Sequence, residues 1–210
     1  MGAFILSKIY FMKSSNFILF GAILLSSVHS EAQTAITMNT KGSFDNKELR
    51  ELLSFYDTDY YKVNLEGALR GRNFTIVSKE IWNGRIRKID TLFNSSQNEI
   101  FRLKSDTLRF AVMAAKTEEK KLRVRFSFDR FSVVRNYKST KSDMYSLRDF
   151  GTQLKPEIGK SFYAFSYILP AEHSDGSSSW CEVDAAGDDV ENWGKKFKIA
   201  HYLLFEMRFE

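Results

Sequence analysis

The segment 172–192 gathers side chains that could carry out chemistry. It is rich in carboxylates, glycine and serine, and oxygen-rich loops of that composition can bind calcium. The spacing does not match an EF-hand, in which ligands recur at alternate positions before a final glutamate. A solvated loop whose acids offset the basic strands is the alternative interpretation. The candidate metal ligands are Asp184, Asp188, Asp189 and Glu191. Apart from calcium at this loop, we expect no cofactor.

The single cysteine, Cys181, lies in the same segment as His173 and Asp184. A thiolate nucleophile needs an imidazole within hydrogen-bond reach, so these residue types permit a cysteine-histidine site. Nothing in the sequence places Cys181 at a helix N-terminus that would favour the thiolate, and the neighbouring Trp180 indicates packing instead. We therefore assign no catalytic residue.

The tryptophans Trp82, Trp180 and Trp193 lie beside predicted hairpin or loop positions. Exposed aromatic rings offer large, flat, apolar surfaces, which suit the stacking of sugar rings. The alternative is that the rings fill the core of a small β domain, as we expect for most of the 19 phenylalanines. We take these three tryptophans as candidate ligand-binding residues, with a glycan as the candidate ligand.

The sequence contains no Gly-x-Ser-x-Gly elbow, phosphate-binding loop or dinucleotide fingerprint. With three histidines and one cysteine, it also gives little indication of a zinc site. A non-catalytic binding protein is therefore the leading interpretation. The alternative is a polymer hydrolase that uses carboxylates of the 172–191 loop, because glycoside hydrolysis needs two carboxylates across a cleft.

The chain begins with the features of a cleaved export signal. Lys13 precedes an apolar run, 17–28, and small residues follow at Ser30 and Ala32. A signal peptidase recognises this order of a charged region, a short apolar region and small residues. The apolar run is shorter than the roughly 20 residues of a membrane-spanning helix. We expect residues 1–32 to be a signal peptide and no transmembrane segment to remain after cleavage.

Residues 33–210 have a length that suits one domain burying about 70% of its unfolded surface. The whole chain has a formal net charge of +5. An exported protein of this charge meets anionic glycans and lipid headgroups rather than nucleic acid. We expect a periplasmic or secreted protein whose partner is a glycan or an envelope protein.

One helix and one hairpin are predicted early in the chain. Leucines and a tyrosine recur on one face of 45–56, which predicts a short amphipathic helix. The runs 74–82 and 85–93 flank Asn83-Gly84, a pair typical of the tight turn of an antiparallel hairpin.

The rest of the chain predicts further strands. Apolar residues alternate with polar or small ones over 108–112 and again over 122–128, and a charged turn at 116–120 lies between these runs. One face of this second hairpin is apolar and the other basic. The alternation changes parity after Phe128, which predicts a bulge or a strand break near Asp129.

The sequence predicts a polar connection over 139–155 and a central strand over 162–169. It also predicts a long final strand over 197–209. Together these runs predict a mainly β fold: an antiparallel β-sandwich of seven to eight strands with one short N-terminal helix.

Four stretches of the chain resemble small secreted proteins of Bacteroidetes. They are the Ala32-Gln33 junction after the signal, the 80–85 hairpin and the closing segments 193–197 and 201–206. The resemblance implies a location in the bacterial envelope and assigns no functional residue.

Overall fold

The computed structural model describes residues 35–42, 46–180 and 189–210. They form a mainly β fold with two five-stranded antiparallel sheets. In spatial order, sheet I contains β1 (Ile36–Lys41), β2 (Thr58–Gly67), β5 (Thr107–Lys116), β6 (Lys121–Phe128) and β7 (Ser132–Lys138). Sheet II contains β4 (Arg85–Asn94), β3 (Phe74–Trp82), β12 (His201–Phe209), β9 (Phe162–Ile168) and β8 (Ser146–Asp149). The smaller elements are the helices α1 (Lys47–Phe55) and α2 (Trp193–Lys196) and the paired two-residue strands β10 (Ala171–Glu172) and β11 (Ser178–Ser179).

The first predicted hairpin is confirmed. Trp82 of β3 pairs with Arg85 of β4, and the two residues between them have positive φ angles, 50° at Asn83 and 69° at Gly84. Two successive positive φ angles define the turn whose twist matches that of the flanking strands. The Asn-Gly pair therefore sets the register of this edge of sheet II.

The second hairpin and the strand break after it are also confirmed. Strands β5 and β6 pair around the turn, and β6 ends at Phe128. The backbone N–H of Phe128 donates to the carbonyl of Phe131 across a tight turn before β7 begins. This turn changes which alternate positions are apolar. An unbroken strand could not make that change, because its side chains keep a strict period of two.

Two predictions at the C-terminal side need correction. The stretch 139–155 is not only a connection, because it contains β8, whose Leu147 is buried. Four residues are too few to show a clear alternation of apolar and polar side chains. The final strand begins at His201 rather than near 197, because α2 ends at Lys196 and the connection 197–200 contains Lys198, whose positive φ of 57° does not suit a strand. The two large sheets together contain ten strands, which is more than the seven to eight expected.

The core lies where the apolar faces of the two sheets meet. Phe126 of sheet I contacts Phe205 of sheet II edge to face, with ring centroids 5.3 Å apart. Near one end, the rings of Phe128 and Phe74 are 5.7 Å apart. Contacts of this kind join both sheets into one apolar cluster.

The outer faces of the sheets differ. Residues of β12 are buried on both faces from His201 to Phe205, and α2 packs over this side of sheet II. There the ring of Trp193 meets that of Phe150 at 4.8 Å. The outward positions of sheet I are exposed or half-buried instead.

Helix α1 precedes β2 and is capped by the side chain of Asn46, which accepts a hydrogen bond from the backbone N–H of Leu49. Asp45, the predicted start, lies outside the described residues. No residue of α1 is buried, and the side chain of Phe55 is 79% exposed. Within the described ranges, no helix has the length and apolar character needed to span a lipid bilayer.

Candidate functional site

Apolar and polar side chains alternate along β5 and β6, so they lie on opposite faces of sheet I. Val112 and Phe126 are paired across the strands and point into the core. Their neighbours in the chain must point outward, because successive side chains of a strand alternate. Arg125 opposes Met113 on that outward face, and Arg123 opposes Ala115.

The same parity extends across all five strands and creates what we call the basic face of sheet I. Its exposed cations are Lys41, Lys62, Arg109, Lys121, Arg123, Arg125 and Lys138. Among the outward-facing strand residues of the described sheet, only Glu66 is acidic. Cations in this excess create a positive potential that attracts anions.

A groove of about 540 Å³ crosses the basic face over β1, β2 and β5. Its polar lining consists of Asn39, Thr40, Lys41, Tyr60, Lys62, Asn64, Arg109, Ser127 and Asp129. The guanidinium Nε of Arg109 donates to Oδ1 of Asn64 at 3.2 Å. The amide of Asn64 in turn donates to Oε1 of Glu66 at 2.6 Å. These two hydrogen bonds hold the guanidinium of Arg109 in one orientation beside Asn64.

The groove combines cations, amides and a phenol. Guanidinium and ammonium groups bind carboxylates or sulfates, while amides and phenols exchange hydrogen bonds with hydroxyl groups. Among the described lining residues, Asp129 is the sole carboxylate, and none is a histidine or cysteine. The lining is therefore suited to holding an anionic, hydroxyl-rich ligand.

The predicted tryptophan platform is not assembled in the groove. The half-buried ring of Trp82 packs against His201 with centroids 4.0 Å apart and a 32° tilt, and its Nε1 donates to Oε1 of Glu80 at 2.7 Å. The half-buried ring of Trp180 carries the guanidinium of Arg148 at 4.9 Å from its centroid. None of the predicted tryptophans lines the groove.

Trp193 is fully buried, with 0% of its surface exposed. Its ring has no face open to a ligand, so the placement argues against the predicted stacking role. The reason is tertiary: the 190–199 segment folds back over sheet II and seats the indole against Phe150. The interpretation that tryptophans fill the core holds for this one.

The predicted metal ligands are divided. Asp184 and Asp188, like Cys181, lie outside the described residues. Asp189 is exposed, and its carboxylate accepts a hydrogen bond from the side chain of Asn192 at 2.7 Å. Elsewhere in the described part of the chain, no three His, Cys, Asp or Glu side chains are grouped as a metal site requires.

Glu191 turns toward the sheet instead of toward the loop. Its Oε1 lies 2.7 Å from the ammonium of Lys79 and accepts a hydrogen bond from Tyr163. The ammonium also lies 2.8 Å from Oε2 of Glu206. The bonds from Lys79 and Tyr163 lower the pKa of Glu191. This carboxylate is already neutralised by an ammonium, which competes with a metal ion for it.

Lys79 keeps its charge despite its surroundings. Burial disfavours the ammonium, but the hydrogen bonds to Glu191 and Glu206 outweigh that cost and raise the pKa of Lys79 above its usual range. The cluster ties the 190–192 turn to strands β3 and β12. Its role is to hold a loop in place.

His201 is a hydrogen-bonded core histidine. Its side chain is 0% exposed, and Nδ1 lies 2.7 Å from the hydroxyl of Tyr145. Burial lowers the pKa of His201 to about 4, so the ring is neutral at pH 7. The ring belongs to the packing of the core rather than to an open site.

Sequence reasoning found the basic side of β6 but missed the groove. The signal for its other side chains was present, because Lys41, Lys62 and Arg109 occupy the polar positions of their strands. The order of strands in the sheet, which brings them together, was not readable. Comparison with protein-family models, curated proteins and solved structures finds no match to this chain.

Proposed function

We propose that the chain is an exported, non-catalytic β-sandwich of the bacterial envelope that binds an anionic glycan on the basic face of sheet I. The observation that carries the proposal is the excess of exposed cations over acids on one face, together with the groove that crosses it. Lys41, Lys62 and Arg109 would contact carboxylate or sulfate groups, and Asn39 and Tyr60 would contact hydroxyls.

Three further observations support parts of this proposal. The contact of the two apolar sheet faces supports the sandwich. The order of charged, apolar and small residues in 1–32 supports export. The carboxylate-poor lining of the groove supports binding without hydrolysis, since a glycosidase uses two carboxylates.

The alternative of a polymer hydrolase at the 172–191 loop gains no support from the described residues. Glu191 is paired with Lys79, and Glu172 and Asp175 are exposed on the loop around β10 and β11. A hydrolase would still be revealed by reducing sugar released during the binding assay below.

The test is calorimetric titration of the purified protein with polygalacturonate, a carboxylated glycan, and with dextran, a neutral one. We expect polygalacturonate alone to bind, with an affinity that falls as NaCl rises from about 50 to about 300 mM, since salt screens exposed charges. The variant K41E/K62E should lose at least tenfold in affinity.

The matched control is R85E/R87E, which changes the net charge equally on exposed residues of β4 in the other sheet. It should bind as the unmodified protein does. Equal losses in both variants would show that net charge, rather than the basic face, governs binding. Binding to neither glycan would refute the proposed function.

Export is tested separately by the N-terminus of the protein recovered from the envelope of a bacterial host. Mass spectrometry should find a chain that begins at Gln33. A chain that retains residues 1–32, or one found only in the cytoplasm, would contradict export.

A further inference from the structure

A second pocket lies beside the groove, where sheets I and II meet at one end. It has a volume of about 430 Å³, within the range of small-molecule sites. Its apolar lining consists of Phe74, Ile100, Phe101, Leu103, Leu108, Phe128 and Phe131. We refer to it as the aromatic pocket.

The aromatic rings of this pocket are packed against one another. Phe131 stacks on Phe128 and on Phe93, with centroid distances of 4.6 and 4.7 Å. The ring of Phe101 meets Phe131 edge to face at 4.9 Å. Because each ring is held by the next, the apolar wall is preformed rather than assembled by a ligand.

Cations surround this apolar wall. Arg102, Lys104, Arg109 and Arg130 contribute to the pocket, against one acid, Asp129. Arg102 is engaged with Glu99 at 2.7 Å and Arg109 with Asn64. The exposed side chains of Lys104 and Arg130 have no hydrogen bond or ion pair within the described part of the chain. An apolar interior with cations at its margin is complementary to a molecule that is apolar at one end and anionic at the other.

We propose that the aromatic pocket binds a free lipophilic carboxylate, a single acyl chain whose headgroup lies between Lys104 and Arg130. The chain would displace water from the phenylalanine wall, and the two cations would pair with the carboxylate at the solvent side. The chain of a cationic amphiphile of the same length would also pack against the phenylalanine wall. Its positive headgroup, however, would be repelled by Lys104 and Arg130. The proposal does not depend on glycan binding, since Lys104 and Arg130 are outside the groove.

The test is calorimetric titration of the purified protein with octanoate, decanoate and dodecanoate, each below its micelle concentration. Burial of a methylene group should raise the affinity about fourfold until the pocket is filled. Dodecylammonium should bind at least tenfold more weakly than dodecanoate. An affinity that does not increase with chain length, or equal binding of the two amphiphiles, would overturn the proposal.

Variants locate the binding. K104E/R130E should lower the affinity for dodecanoate at least tenfold, whereas R85E/R87E, with the same change in charge, should leave it unchanged. Unchanged affinity in K104E/R130E would place the ligand elsewhere and overturn the assignment. Since polygalacturonate binding is tested with K41E/K62E, failure of that assay alone would refute the proposed function and leave this inference standing.

Discussion

The imidazole Nδ1 of His201 lies 2.7 Å from the hydroxyl of Tyr145 in a part of the core that excludes solvent. The backbone N–H of Thr140 donates to the same hydroxyl at 3.1 Å, and Oγ1 of Thr140 lies 3.3 Å from it. The other ring nitrogen, Nε2, lies 3.7 Å from Oε1 of Glu80, beyond hydrogen-bond distance. The neutral ring bonds to Tyr145 without placing a charge in the core.

The first prediction is a loss of stability in mild acid caused by His201. Its pKa is about 4 in the folded state and near the usual 6.5 when unfolded, so the unfolded chain binds more protons between these values. Folding stability therefore falls as the pH drops from 6.5 toward 4. Between pH 7 and pH 5 the contribution is about 2 kcal/mol.

The measurement is urea unfolding at both pH values for the unmodified protein and for H201Q, whose side-chain amide can still bond to Tyr145. The unmodified protein should lose about 2 kcal/mol more than H201Q over this interval. Burial raises the pKa of Asp59 and of Asp149, which gives the opposite pH trend, but both proteins share it. Parallel losses in the two proteins would contradict the assignment to His201.

The second prediction concerns the close approach of Gly84 to the helix α2. A Cβ added at Gly84 would lie 2.8 Å from the backbone nitrogen of Lys195, and the φ angle there is 69°. Gly71 has a φ angle of 77° but nothing within 4 Å of an added Cβ. An alanine at either position would therefore have the same left-handed backbone strain, but only at position 84 would its Cβ meet a steric contact.

Thermal and urea unfolding of G71A and G84A should separate the two effects. G71A should cost about 1 kcal/mol, from the left-handed backbone alone. G84A should cost about 3 kcal/mol, because overpacking adds to the strain. Equal costs would mean that the turn and α2 do not touch as described.

The third prediction tests the charge cluster around Lys79. Removing the ammonium in K79M leaves the carboxylates of Glu191 and Glu206 close to each other without their cation. Since the side chains of Lys79 and Glu206 are only 15% and 20% exposed, we expect a loss of about 2 kcal/mol in urea unfolding. The control is K88M, because the side chain of Lys88 is 60% exposed and its ammonium lies 3.6 Å from Oδ2 of Asp90. It should change stability by less than about 0.5 kcal/mol, and a similar effect of both variants would argue against a structural role for the cluster.

The fourth prediction concerns the contact between the sheets. Phe205 is fully buried against Phe126 of the other sheet, so F205A should cost about 3 to 5 kcal/mol through lost burial and a cavity. The same change at Phe55, whose side chain is 79% exposed on α1, should cost less than about 0.5 kcal/mol. Urea unfolding measures both. A small cost at Phe205 would indicate that the sheets do not form one core.

Local patterns determined much of the fold. The Asn83-Gly84 pair fixed one hairpin because both residues tolerate positive φ. The alternation on β5 and β6 predicted which side chains enter the core, since a strand has a period of two. The parity change at Phe128 predicted the break before β7 for the same reason. Each of these inferences depends only on neighbours along the chain.

The candidate sites depended on tertiary structure. The groove unites Lys41, Lys62 and Arg109 because β1, β2 and β5 are adjacent in sheet I, an order that no local pattern encodes. Trp193 was predicted to be exposed and is buried, because the segment around it folds over the far side of sheet II. The sequence by itself determined the strand faces and the basic character of the chain. Only the packing of distant segments decided which side chains meet, because contacts between residues far apart in sequence are set by the burial of whole faces rather than by local propensity.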